Sequence, residues 1–207
     1  IEIETVLVAD DVASAPRERK EDRRGVAGLA FAFKVAGAAA ARGDSLADVA
    51  SAARFAIDQM GSMGVGLSPT VLPAAGQPTF TLEEGEMEVG IGIHGERGIR
   101  RAPIAPVDEI AEELFDAIAS DLELASGDSI AVLVNGMGAT PLEELYLLYR
   151  RINQMSVAAG YSIERNFVGE YATSLEMAGA SVTIMRLNEQ LKELLDLPSS
   201  PPISGMF

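Results

Sequence analysis

The sequence predicts an α/β domain: two layers, with a mixed sheet of about six strands covered by helices on one face, preceded by one strand that belongs to a different sheet. Three observations lead there. Short apolar runs bounded by Gly, Pro and Asp recur along the chain, longer segments carry the 3.6-residue spacing of helices, and the two kinds intermix without strict strand–helix–strand alternation. At 207 residues and 48% hydrophobic, the chain can bury one sizeable core.

IEIETVLVAD (1–10) alternates and then turns continuously apolar, which predicts a buried strand ending in the acidic pair Asp10-Asp11. SAPRERKEDRR (14–24) has no apolar stripe and reads as a solvated connector. Residues 1–24 are thus taken as a remnant strand and linker, and 25–207 as the domain proper. GVAGLAFAFKVAGAAAARG (25–43) predicts a helix stopped by Gly43. Its alanine-rich face suits either the core or a contact with a second copy.

Ser45 and Asp48 open a second helix, with Leu46, Val49, Ala53, Phe55 and Met60 on its apolar spacing. Residues 64–73 and 79–93 read as strands, with EEGE (83–86) as the hairpin tip or a bulge. From Pro106 to about Leu124 a helix is expected, with Ile110, Leu114, Phe115 and Ile118 on one face. Residues 129–152 are a strand–loop–helix in which Thr140 is the expected cap, Pro141 the first helical residue and Glu143 the closing acid of a capping box. Strands near 161–170 and 181–187, a helix at 188–195 and a loose or docking tail, LPSSPPISGMF, complete the chain.

Sixteen Lys and Arg against 31 Asp and Glu give a formal charge of −15, which argues against nucleic-acid or anionic-membrane binding. With no Cys, disulfides, thiolate metal sites and thiol nucleophiles are excluded; with one His, a transition-metal cluster is not expected, and carboxylate-only Mg²⁺ or Ca²⁺ sites stay open. The longest apolar stretch, 25–41, is broken by Lys34 and reads as a buried helix rather than a membrane span. No signal-peptide pattern is visible, and the start at Ile1 inside a strand-like run suggests a piece of something longer.

Chemistry has three candidate locations. His94, in GIGIHGERGI (90–99), is the only histidine, and Gly90, Gly92 and Gly95 strip side chains from around it, as happens where a ligand approaches backbone closely. A neutral imidazole can act as nucleophile, base or ligand. Glu96 is placed to orient it, although an exposed turn is the plainer reading of Glu96 and Arg97. NGMGATP (135–141) can hold an anion on its backbone but reads first as a well-built turn. Glu164, Arg165, Asn166, Glu170, Tyr171, Thr173, Ser174 and Glu176 crowd a short stretch that suits a site, an interface or an ordinary loop.

Several stretches together resemble the C-terminal part of the dihydroxyacetone kinase substrate-binding (K) subunit: VLVADDVA (6–13), RRGVAG (23–28), VAGAAAARGDSL (35–46), VLPAAGQPTFTLEEGEMEVGIGIHGERGI (71–99), VLVNGMGATPLEELY (132–146) and IERNFVGEYATSLEMAG (163–179). The resemblance runs through essentially the whole chain, and its most specific block is that around GIHGE. It implies that His94 is both the substrate-binding and the catalytic residue, bonding covalently to the keto carbon of dihydroxyacetone or a related short ketose as a hemiaminal. It further implies a cytoplasmic homodimer, no cofactor on this chain, and Mg-ADP or Mg-ATP carried by a separate nucleotide-binding L subunit. The family's N-terminal α/β domain, of which VLVADDVA resembles the last strand, carries a Gly-Gly-Ser-Gly-His loop and a further Asp and Lys; these have no counterpart here, so the chain alone is expected to be inactive. The alternative within the family is a non-catalytic, dihydroxyacetone-sensing co-activator.

Overall fold

The computed structural model describes residues 1–198. The tail expected beyond Pro198 lies outside them. Six strands form one mixed sheet: β1 (Met60–Gly66), β2 (Glu86–Val89), β3 (Arg100–Pro103), β4 (Ser129–Gly136), β5 (Ser162–Gly169) and β6 (Gly179–Arg186), in the order β3-β2-β1-β6-β4-β5. Only β4 and β5 run parallel; every other neighbouring pair is antiparallel. The α/β class and the six-stranded mixed sheet agree with the sequence reading.

The cover differs, because helices lie on both faces. Along β4, Ile130, Val132 and Val134 join α3 (Val107–Asp121) and α4 (Leu142–Ala159), whereas Ala131 and Leu133 join α1 (Leu29–Arg42), α2 (Leu46–Asp58) and α5 (Glu189–Asp196). A strand that carries apolar residues on both of its faces needs two covers. The alanine-rich face of α1 is spent in this core, with Ala30, Phe31, Val35, Ala38 and Ala39 buried. Gly43 ends α1 in the left-handed conformation, and Ser45 caps α2 by accepting the Asp48 N–H.

Three local expectations change. Residues 1–9 form no strand among the described residues: Ile1, Ile3 and Leu7 are exposed, while Val6 and Val8 lean on the α1–α2 cluster. The next residues do reach the sheet, where Asp11 bridges Ser62 of β1 in parallel. The charged segment 14–24 is not merely solvated. It makes a 3₁₀ turn, Arg17–Asp22, and then buries Arg23, whose guanidinium forms a bidentate pair with Asp121 at 2.9 and 2.6 Å. Thr140 does not cap α4; its hydroxyl donates to the Gly179 carbonyl and accepts the Gly179 N–H, pinning the β4–α4 loop to β6. No described helix is long and apolar enough to cross a membrane.

Candidate functional site

His94 stands on the loop of a β-hairpin. β2 and β3 pair antiparallel from Glu86↔Pro103 to Val89↔Arg100, so residues 90–99 are the connection, and EEGE leads into the hairpin, with Glu86 as the first residue of β2, rather than forming its tip. The reason is that β3, RRAP, is a short edge strand with no apolar alternation to announce it. Ile91 and Ile93 are buried and anchor the loop, with Ile91 beside Phe80, Met137 and Met177. His94 is left outside, its side chain 74% exposed.

The loop is wound tightly around Glu96. Gly92 N–H donates to the Glu96 carbonyl at 3.0 Å, and Gly95 N–H donates to the Gly92 carbonyl at 3.1 Å. The Glu96 carboxylate holds His94 twice: Oε2 accepts the His94 backbone N–H and Oε1 meets ring Nδ1, each at 3.0 Å. Glu96 is thus a partner of His94 rather than part of a bare exposed turn. Burial pushes its carboxyl up, but hydrogen bonds from its own N–H and from the ring and backbone of His94 outweigh this and leave it below the usual range. The glycines are needed as spaces. Gly95 has φ +84°, and a Cβ there would lie 2.4 Å from Thr79 Oγ1.

Two residues that the sequence did not single out brace this loop from below. Arg24 donates to the Gly90 and Arg97 carbonyls and pairs with Asp11. The signal was present in the Arg23-Arg24 and Asp10-Asp11 pairs, but nothing local says that they meet the histidine loop.

The other candidates serve the framework. In NGMGATP the N–H groups of Met137 and Ala139 go to Gly179 and Met177 carbonyls, and Gly138 N–H goes to the Glu170 carboxylate, so the well-built turn is the better description. Burial raises the Glu170 carboxyl against that hydrogen bond. Fully buried Asn135, the first residue of that motif, accepts the N–H groups of Tyr171 and Ala172 and donates to the Ala172 carbonyl. In the crowded stretch, Arg165 pairs with Asp196, Glu164 accepts from Ser129 and Ser162, and Ser174 is buried beneath the Met137 carbonyl. Thr173 and Asn166 are exposed.

Glu176 does reach toward the histidine side. Its carboxylate accepts Val71 N–H and the Thr70 hydroxyl, and Thr70 in turn takes the N–H of Thr79, the residue against Gly95. Among the described residues, no three His, Asp or Glu side chains converge to hold a metal ion.

Comparison with known proteins fits this geometry. The Dak1 domain family model matches residues 1–203. The chain is 46% identical to the Listeria innocua "PTS-dependent dihydroxyacetone kinase 2, dihydroxyacetone-binding subunit DhaK", across 98% of this chain and 60% of that subunit. It is 42% identical to the L-erythrulose kinase of Pectobacterium atrosepticum, across 98% of this chain and 35% of that enzyme. Among solved structures, the dihydroxyacetone kinase operon co-activator Dha-DhaQ superposes with a TM-score of 0.85 at 29% identity, covering 93% of this chain and 60% of that one. The chain therefore spans about 60% of the length of the Listeria subunit that it matches. A family model matched over nearly every residue, together with relatives at this identity, means that the chain belongs to the Dak1 domain family, as the GIHGE block led us to expect.

Proposed function

We propose that this chain is the ketose-holding part of a dihydroxyacetone-type kinase and that His94 bonds covalently to the substrate's keto carbon. The observation that carries this is the clamp of Glu96 on His94. An ionised carboxylate only accepts, so in the neutral ring Nδ1 bears the proton and the lone pair is left at Nε2. Among the described residues Nε2 has no hydrogen-bond partner, and the ring is open to solvent.

That lone pair adds to the carbonyl carbon, and the C=O π pair moves onto oxygen. The proton lost from Nδ1, passed by Glu96 or water, neutralises the new alkoxide. The product is a neutral hemiaminal, with one N–C bond formed, no leaving group and no change of oxidation state. A polyol without a carbonyl cannot form this bond, so glycerol is rejected although its hydroxyls resemble those of dihydroxyacetone. The tether also fixes a terminal hydroxyl for phosphoryl transfer, an advantage of orientation. His94 is then the anchor and not the base.

Relatives named for dihydroxyacetone and for erythrulose both act on short ketoses, which supports the substrate class. The remaining parts of the reading belong to the same proposal. The nucleotide, Mg-ADP or Mg-ATP, sits on a separate L component, and the phosphoryl group comes from ATP itself or, where ADP is bound, from a phosphotransferase relay; the working form is a cytoplasmic homodimer, and the groups that hold the hydroxyls lie in the part of the relatives that this chain does not span. The chain by itself therefore lacks turnover. Native mass spectrometry of the whole native protein with dihydroxyacetone is expected to find one bound ketose that survives collisional activation and disappears in His94→Ala. An adduct that persists in His94→Ala removes His94 from the account.

The likeness to the co-activator favours a second reading, a sensor that captures the same ketose without phosphorylating it. Phosphoryl transfer by the whole protein supplied with its nucleotide-binding component separates the two, because a sensor forms the adduct and no product.

A further inference from the structure

We propose that Arg24, held by Asp11, is a positioning residue that sets where His94 stands; this rests on the reading of His94 as the tether. One guanidinium reaches both ends of the histidine loop: Nη2 donates to the Gly90 carbonyl at 2.9 Å and Nη1 to the Arg97 carbonyl at 3.2 Å. Its third engagement is with Asp11, through Nε at 2.9 Å and Nη2 at 2.7 Å to Oδ2. The Arg24 side chain is 24% exposed and that of Asp11 only 2%, so the pair works partly out of water.

Asp11 is itself anchored by contacts that lie outside the site. Its neighbour Asp10 faces the opposite way and is fully buried, accepting the N–H groups of Val26 and Gly28 just ahead of α1 and the Ser62 hydroxyl of β1. Ser62 N–H donates to the Asp10 carbonyl at 2.7 Å, and Val12 N–H to the Ser62 carbonyl at 2.9 Å, so both sides of Asp11 are stitched to the sheet. Asp11 N–H also donates to the Arg24 carbonyl. Gly90 sits directly on this bracket, where a Cβ would come 2.8 Å from Ala13 Cβ.

The loop therefore has a rigid floor built from two segments far from it in sequence, and Arg24 is the piece that touches both of its ends. A planar fork with several donors in fixed directions can serve three acceptors together; the single ammonium of lysine cannot reproduce that geometry. Covalent capture requires Nε2 at attack distance from a small ketone, and a displacement of about 1 Å in such an arrangement is costly.

The test uses the whole native protein carrying Arg24→Lys, which keeps the charge, or Arg24→Met, which keeps only the stem; if the Met variant does not fold, the Lys variant bears the test. Amide exchange over residues 90–99 reads loop order without substrate, and native mass spectrometry with dihydroxyacetone reads capture. Exchange at Gly92, His94 and Gly95 is expected to quicken roughly tenfold or more while β4 amides keep their rates, and the adduct fraction at limiting ketose is expected to drop by a similar factor. A purely structural role would instead lower protection throughout the sheet and leave capture by the folded molecules unchanged. Unaltered loop exchange overturns the proposal, as does a loosened loop that captures ketose as well as before. Should the unmutated protein form no adduct, the tether reading fails by itself, and the exchange rates alone decide whether Arg24 orders the loop.

Discussion

Gly92 and Glu96 lie so close that only a bare Cα fits between them: the Gly92 N–H donates to the Glu96 carbonyl at 3.0 Å, and a Cβ on Gly92 would stand 2.2 Å from Glu96 Oε2. Any side chain at 92 must push the carboxylate off the histidine. Gly92→Ala is therefore expected to lose the ketose adduct while costing only about 1–3 kcal/mol of stability, since the strain is confined to one surface loop. Denaturant unfolding and native mass spectrometry on the same sample check both halves. Full capture by the variant would show that the carboxylate is not needed where it stands.

Glu96→Gln separates charge from shape. Gln has one oxygen and one NH₂ where Glu has two oxygens. If the oxygen keeps the His94 backbone N–H, the NH₂ faces ring Nδ1 and turns it into an acceptor, which moves the ring proton to Nε2 and blocks the nucleophile. The opposite flip sets NH₂ against N–H. Capture is expected to fall roughly tenfold or more, the scale of one charge-assisted hydrogen bond. Nitrogen-15 spectra of the imidazole should show Nε2 changing from unprotonated to protonated, and an unchanged Nε2 signal would refute the assigned tautomer.

Burial pushes the Asp11 carboxyl up to about 6, above its ordinary value, despite the opposing pull of Arg24; buried Asp10 is the other charged neighbour and adds to the rise. The folded chain thus holds the Asp11 proton more tightly than the unfolded chain. The stability from this group is complete below the ordinary carboxylate pKa and is lost as pH rises through about 6. Protonation also removes the anion that holds Arg24. Between pH 7 and 5 the 90–99 loop is expected to loosen, with no loss of global stability arising from Asp11 itself. Amide exchange, corrected for its intrinsic pH dependence, checks this. Asp11→Asn should flatten the step, and a step of the same size in that variant assigns it to another group.

What the sequence disclosed and what it hid divide by distance along the chain. The helix limits at Gly43 and Ser45 were legible because caps are local chemistry. His94 was legible because a lone imidazole among glycines is unusual. Its floor was not: Arg24 meets Gly90 across 66 residues, and Arg23 meets Asp121 across 98, so both arginines looked like members of a solvated charge run. The second helical cover was implied by the uninterrupted apolar run of β4, which a one-faced sheet cannot accommodate. Strand β3 was invisible because an exposed edge strand has no core face to write into the sequence. Thr140 fitted the pattern of a cap, yet its hydroxyl finds both polar groups of Gly179 on a neighbouring strand, and a long-range partner outcompeted the local one.

Asp10 offers the strictest test of the framework beneath the site. Its two oxygens accept three hydrogen bonds, from Val26 N–H on Oδ1 and from Gly28 N–H and the Ser62 hydroxyl on Oδ2. Because the Ser62 proton goes to Asp10, Thr183 must donate to Ser62 at 2.6 Å, which extends the chain of hydrogen bonds into β6. Gly28 has to be glycine for this arrangement, as a Cβ there would lie 2.5 Å from Asp10 Oδ2. Asp10→Asn keeps the size but must aim an NH₂ at one of these donors, leaving a buried N–H or hydroxyl unpaired, at a cost of about 2–4 kcal/mol. Ser62→Ala removes one link and should cost about 1–2 kcal/mol, and the double variant should cost less than the sum because the two side chains share a bond. Urea unfolding of the three variants measures the coupling. Strict additivity, or an Asp10→Asn midpoint equal to that of the unmutated chain, would mean that this carboxylate does not hold α1 to the sheet, and the floor under His94 would then need another foundation.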